Sequence, residues 1–573
     1  MYTIKYKLSS RIGAYALALG VLFSSCQDFL DVDKDNDNPT NAPLSLLLTG
    51  SQVDLNNLTN FNVNGGTILS VYTHQTTTRE EYDQYGLKVD NINMLNDWNA
   101  VYYTLLNINN IISKGTESGD LVYVGIAQIE KAYIMSVAVD LWGDVPYSEA
   151  GQLESGIISP KFDEQRTIYN EIFALLDTAK ENINSGEGLN QPGSDDLIYD
   201  GDTDKWIRFA NTFKLKLYNQ IRKVSDFDTA GFNALVAEGN FMTSSADDFE
   251  FKHYNVLAPV DERNLLFLES YNSTQFGSYQ SPWFYEIMKG VNPNIHNGNR
   301  DPRIPYYFFN QLQANQLPVD QGNPETGDPV ADYWDAGTGF FSIRFGSVGP
   351  NVSFSAENSY TYPGIFPAGG RYDDGEGASV NVLMAGTTDR PTGIAPHRIL
   401  TYDEFLYIQA ELIHVGLMSG SASAKLREAM EASFAKVDQV VAANDAPQDV
   451  PVLAGTTAAN TFIDNVIDEF NSAGNNKKLE IIMTQKWVAT YGDPMDQYND
   501  YRRTGFPVLA DPLAPSPEYQ LDNGDDFPLD DADTVLSNPY QFSWFWPVNE
   551  LNVNSNAPAQ KNPASYKIFW DID

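Results

Sequence analysis

The chain has 573 residues, with 76 Asp+Glu against 36 Lys+Arg and a formal net charge of −40. That length holds several average domains or one large one, and 42% hydrophobic residues supply a substantial core, which excludes disorder as the main state. So acidic a surface opposes the counterion release that drives nucleic-acid binding, which excludes DNA and RNA as partners.

The first predicted element is a leader. Residues 1–25 carry Lys5, Lys7 and Arg11 and no acid, then an apolar run from Ile12 to Phe23, then Ser24-Ser25-Cys26. At about a dozen apolar residues the run is a secretory signal, too short to span a bilayer permanently. Small residues before a cysteine suggest a bacterial lipobox, with Cys26 diacylated and mature at its N-terminus; Phe23 sits where Leu is usual. The alternative is an ordinary signal peptide plus a stray thiol. Cys26 is the only cysteine, so there is no intramolecular disulfide and no thiolate zinc site. Residues 26–45 read as an acidic tether. Asp31, Asp33 and Asp35 imitate the start of a calcium loop, but Asn36 replaces the turn glycine and Ala42 the bidentate Glu, so a solvated leader is the better reading. No later stretch approaches 18 continuous apolar residues, and residues 46–573 are expected to be one soluble, tethered domain.

Beyond the tether, helical periodicity recurs. Ile126, Ile129, Tyr133, Val137 and Leu141 fall at steps of three and four, as do Phe405, Ile408, Leu412 and Val415. The segment Phe162–Ile183 and the stripe Trp206, Phe209, Phe213, Leu217 and Ile221 predict two more helices, and Leu479, Met483, Trp487 and Tyr491 another. Helices are expected from about 96 to 240 and from about 402 to 491. Residues 241–400 are rich in Gly, Pro, Asn and aromatics and read as long loops with few short elements, the kind of segment that carries function. The part after Pro507 is also loop-rich, with an acidic run Asp522–Asp533 that reads as a solvated face.

The sequence contains no GxSxG, HExxH, GxxxxGK[ST] or dinucleotide fingerprint. Its five histidines, His74, His253, His296, His397 and His414, show no chelating spacing, and no metal or cofactor is expected. A glycosidase needs only two carboxylates at a set separation, which 76 acids neither support nor rule out; the chain is not read as an enzyme. The constructive signal is aromatic, 13% of all residues. A sugar presents an apolar C–H face and a rim of hydroxyls, so its site wants flat rings beside Asn, Asp, Gln or Arg. Candidate ligand residues of this kind are Tyr72, Arg79 and Tyr82, then Asp97 and Trp98 at a helix start, then Trp283, Trp334, Arg371 and Tyr372 in the loop-rich middle. Each ring has an equal claim to cap the core beneath its loop, Trp98 most of all, with Val101, Tyr102 and Leu105 behind it.

Several blocks, in order and spacing, resemble the SusD/RagB family of Bacteroidetes outer-membrane lipoproteins, and more closely its SusD-like branch. They are Cys26-Gln27-Asp28-Phe29-Leu30-Asp31, the run Asp140-Leu141-Trp142-Gly143-Asp144-Val145-Pro146-Tyr147, Gly201-Asp202 with Lys205-Trp206 and Phe209-Ala210-Asn211, and Asp301-Pro302-Arg303. Glu404 to Glu411 and Gln485-Lys486-Trp487 leading to Arg502-Arg503-Thr504-Gly505-Phe506-Pro507 complete the set. The resemblance implies a mainly α fold of tetratricopeptide-like helical hairpins with the ligand site on variable loops, and it makes Trp142, Trp206 and Trp487 packing residues. It also implies a lipid-anchored outer-membrane protein facing the cell exterior, partnered with a SusC-like TonB-dependent transporter to which it delivers nutrient. The expected ligand is an oligosaccharide; an oligopeptide is the alternative, and a surface glycan-degrading enzyme a third.

Overall fold

The computed structural model describes residues 42–58, 60, 64–78, 85–272, 277–318, 332–346, 359–378, 391–446, 448–510 and 538–572. Cys26, the leader, most of the tether, Arg79, Tyr82 and the acidic run Asp522–Asp533 lie outside the described residues.

Helices dominate. Two of them, α1 (Leu44–Asn57) and α2 (Gly65–Tyr72), precede the first expected helical stretch. Next, α3 (Ile92–Ser118) begins on Asn91, whose side chain accepts from the Asn93 and Met94 N–H groups, and ends on Gly119 in the left-handed conformation. This start is five residues earlier than Asp97, so Asp97 and Trp98 lie in the second turn of the helix and point into the protein. Helix α4 (Leu121–Trp142) is apolar on every side and almost wholly buried against α3 and α5 (Gln165–Ser185). Among the described helices it alone is long and apolar enough to cross a membrane, yet its surroundings are protein, which makes it a core helix. Glu164 caps α5 by accepting from Thr167 N–H, and Asp202 caps α6 (Thr203–Gln220) by accepting from Lys205 N–H; α7 (Thr229–Glu238) follows.

The middle of the chain holds only short helices: α8 (Leu265–Tyr271), α9 (Pro282–Lys289), α10 (Ile304–Tyr307) and α11 (Ile365–Ala368). Long helices resume with α12 (Tyr402–His414), α13 (Ala422–Asn444), α14 (Thr457–Ser472), α15 (Asn475–Ala489) and α16 (Pro494–Thr504), and α17 (Val548–Val553) closes the order. Successive long helices pack on one another: α3 on α4, α4 on α5, α5 on α6, α12 on α13, α13 on α14 and α14 on α15. The strands are β1 (Thr76–Thr77), β2 (Val145–Pro146), β3 (Phe162–Asp163), β4 (Phe249–Phe251), β5 (Tyr279–Gln280), β6 (Phe308–Phe309), β7 (Asp332–Asp335), β8 (Phe340–Ile343), β9 (Tyr362–Pro363) and β10 (His397–Leu400). They form only antiparallel pairs, β1 with β5, β2 with β3, β4 with β10, β6 with β9 and β7 with β8.

One large apolar core joins α1–α7 to the 544–570 segment, and a second joins α8–α10 to α13–α15; a small third one, Tyr279, Leu312, Trp334, Phe341, Ile343 and Tyr360, sits under the middle loops. Polar ties cross between elements at the blocks that carry the family resemblance. The buried Asp140 carboxylate accepts from Tyr169 Oη at 2.5 Å, Gln220 Nε2 at 2.8 Å, and Asn499 Nδ2 and Trp570 Nε1 at 2.9 Å, so one side chain of α4 gathers α5, α6, α16 and the C-terminal segment. A Cβ on Gly143 would come 2.6 Å from the Tyr566 ring, and its φ of 74° is itself one that favours glycine, so the chain can leave α4 here only on a glycine. Trp142, Trp206 and Trp487 are all buried, with Trp206 Nε1 donating to Asp196 and Trp487 Nε1 to the Thr73 carbonyl.

Candidate functional site

The described candidate residues fall into separate neighbourhoods rather than on one arc. Tyr72 is fully buried: its hydroxyl donates to Gln541 Oε1 at 3.0 Å and its ring packs among Tyr85, Tyr498 and Tyr540. Trp98 stands edge-on to Trp142, with ring centroids 5.1 Å apart, and also meets Tyr102 and Phe162. Both rings are core: Tyr72 ends α2 fully buried, and because α3 starts at Ile92 rather than at Asp97, Trp98 falls on its buried face. Asp97 is buried against the N-terminus of α2, where a Cβ on Gly65 would stand 2.1 Å from its Oδ2; the helix dipole favours a carboxylate there.

The middle segment is different in kind. Ser281-Pro282-Trp283-Phe284-Tyr285 forms α9 rather than a loop: Ser281 Oγ accepts from Phe284 N–H and Pro282 occupies the first turn, a start signal readable from sequence. The helix turns Phe284 and Tyr285 inward and leaves Trp283 beside a cleft of about 380 Å³. Trp283, Ile287, Ile295 and Val508 give this cleft an apolar wall, while Asn292, Thr484 and the Lys477–Glu480 ion pair supply polar groups. The Trp283 indole is held in place by donating from Nε1 to the Val508 carbonyl at 3.1 Å. An amphipathic cleft of this size suits a ligand with one apolar face and a polar edge.

Trp334 lies on β7 in the small aromatic core, and its buried Nε1 has no hydrogen-bond partner among the described residues. The Arg371 guanidinium stacks 5.0 Å from the Phe309 ring centroid, and Tyr372 is half-buried, edge-on to Tyr306 and tied through its backbone to the Gln448 amide. Beside it, burial pushes the Asp373 carboxyl up to about 6, against hydrogen bonds from Gly375 and Asn310.

Asn292, Lys477, Glu480 and Thr484 escaped the sequence reading. Asn292-Pro293-Asn294 is legible only as a turn, and 477, 480 and 484 show helical spacing, but nothing in sequence says that this face of α15 meets Trp283. One buried acid cluster resembles a metal site: oxygen atoms of Glu404, Asp493 and Asp496 lie within 4.8 Å of one another. Two ammonium groups already answer those charges, Lys216 on Asp496 and Lys486 on Glu404 at 3.2 Å, so the arrangement is an ion network of the scaffold.

Comparison with known proteins matches this architecture. No curated protein matches the sequence. Among the solved structures that share the fold are a SusD homologue from Bacteroides fragilis (22% identity, 89% of this chain and 94% of that one, TM-score 0.61), a chitin-binding SusD homologue from Flavobacterium johnsoniae (20%, 92% and 99%, TM-score 0.62) and a chitin-binding protein (20%, 93% and 100%, TM-score 0.66). A family profile described as starch-binding, associating with the outer membrane, matches residues 36–331 and 352–528, and the chain belongs to that SusD-like family.

Proposed function

We propose that the protein is an outer-membrane lipoprotein, anchored through Cys26 and facing the cell exterior, that captures oligosaccharides and delivers them to a SusC-like TonB-dependent transporter. The observation that carries this reading is the family match over most of the chain, with its description as starch-binding and associating with the outer membrane. Structural relatives described as chitin-binding support a glycan as the ligand class. The role is capture rather than turnover, and it needs no cofactor.

In this reading the Trp283 cleft contributes to the site, with the indole as apolar wall and Asn292 and Thr484 as hydrogen-bonding groups. Trp334, Arg371 and Tyr372, together with Arg79 and Tyr82, are proposed as further ligand contacts. Affinity electrophoresis through gels containing soluble starch or glycol chitin tests this. The wild-type protein is expected to be retarded in one of the two, and Trp283→Ala to be retarded less; equal retardation of the two proteins would remove the cleft from the site.

A further inference from the structure

A second, larger cleft of about 810 Å³ opens between the last turn of α1, the 194–200 segment leading into α6 and the 251–265 segment that follows β4. It shares no residue with the Trp283 cleft, and its volume lies in the range of roughly 300–1,000 Å³ usual for small-ligand sites.

Its wall includes His253, 7% exposed. Nδ1 of the ring lies 3.0 Å from the Glu262 carbonyl oxygen, and because a carbonyl only accepts, Nδ1 carries the proton. Burial lowers the ring's pKa to about 4, the bond to Glu262 opposing, so the imidazole is neutral near physiological pH and Nε2 is an acceptor. That Nε2 is buried and has no hydrogen-bond partner among the described residues. His253 therefore serves the cleft as a fixed, uncharged part of its wall.

The charged side chains that line the cleft come close to balance, with Asp196, Asp200, Asp261 and Glu262 against Lys205, Lys252 and Arg263. Asp196 is engaged by Gln52 Nε2, Trp206 Nε1 and the N–H groups of Ile198, Tyr199 and Gly201. Arg263 clamps Asp261 through Nε and a terminal nitrogen at 2.9 and 2.7 Å. The lining thus keeps one net negative charge, which disfavours an anionic ligand. Of the lining residues, Tyr254 is 55% exposed and the apolar Val260 is exposed as well. Its loop is pinned by Tyr254 N–H donating to the Glu262 carbonyl and Glu262 N–H donating to the Val256 carbonyl. Asp200, also on the lining, holds a left-handed φ of 55°, the kind of backbone strain that gathers at ligand sites.

We propose that this cleft is a second saccharide pocket, which takes one end of a neutral oligosaccharide. Tyr254 lies under the C–H face of a sugar ring, His253 closes the wall without adding charge, and Lys205 and Asp200 answer the sugar hydroxyls. The inference rests on the glycan reading above and adds a place and a ligand charge to it.

The test titrates the tag-free protein from residue 27 onwards with maltohexaose and with chitohexaose. A Tyr254→Trp variant, made in the Trp283→Ala background, is expected to show a saturable change in emission with the sugar that binds wild type. Calorimetry on Tyr254→Ala and Lys205→Ala, both with wild-type thermal midpoints, is expected to show affinity at this site weakened about tenfold, the loss of one good contact. Sugar binding by wild type that leaves the reporter silent and both alanine variants unchanged would overturn the second pocket alone. Absence of any sugar binding by wild type would overturn the glycan reading and this inference together.

Discussion

Trp98 and Trp283 have similar sequence surroundings, each next to other aromatics and polar side chains, and both are buried, but Trp98 is enclosed by core rings while Trp283 borders a cleft. Trp98 is 5% exposed and locked edge-on to Trp142, so its removal leaves a void in the main core. Trp98→Ala is therefore expected to cost about 3–5 kcal/mol of stability in urea unfolding, with sugar affinity of the folded protein unchanged. Weakened binding at wild-type stability would instead make Trp98 a ligand residue. Which of the two rings borders a cleft was not legible, because spacing fixes the face of a helix and not what covers that face; the burial of Trp206 and Trp487 followed from their apolar stripes as well as from the family blocks, that of Trp142 from the blocks alone.

At the scale of elements, α12, α15 and α16 are joined by buried charge. Glu411 on α12 receives both terminal nitrogens of Arg503 from α16, Arg222 at 2.8 Å and Asn219 Nδ2 at 2.7 Å. Burial alone would raise its pKa, but Arg222, Arg503 and these hydrogen bonds outweigh that and hold the carboxyl well below the usual glutamate range. A depressed carboxyl contributes stability that is complete above the unfolded pKa of about 4.3 and is lost as pH falls below it toward the folded value. Urea unfolding midpoints are thus expected to drop between about pH 4 and pH 2, and to drop less in Glu411→Gln. At neutral pH the same variant is expected to lose about 3–5 kcal/mol, since it strands buried guanidinium groups; an unchanged midpoint would deny the network its role. The long helices were legible from apolar steps of three and four, which is why α4, α5, α6, α12 and α15 all stand where the periodicity put them. Helices α1, α2 and α9 were not, the first two lacking a strong stripe and the third lying in a Gly- and Pro-rich stretch where only Ser281-Pro282 marks its start.

At the scale of the whole molecule, the fold class and family were readable while the ligand surface was not, because scaffold blocks such as Asp140–Tyr147 combine several residues in fixed order and the cleft residues come from segments nearly 200 positions apart. The proposed lipid anchor is tested apart from the folded domain. Cys26→Ser is expected to leave thermal unfolding unchanged and to release the protein from the membrane fraction of cells; retention in that fraction would contradict the anchor. The most direct test of glycan capture is isothermal titration calorimetry of the protein from residue 27 onwards against two panels, neutral starch and chitin oligosaccharides and mixed oligopeptides. Saturable heat with at least one oligosaccharide and none with the peptides is the expected result, and saturable heat with peptides alone would contradict it.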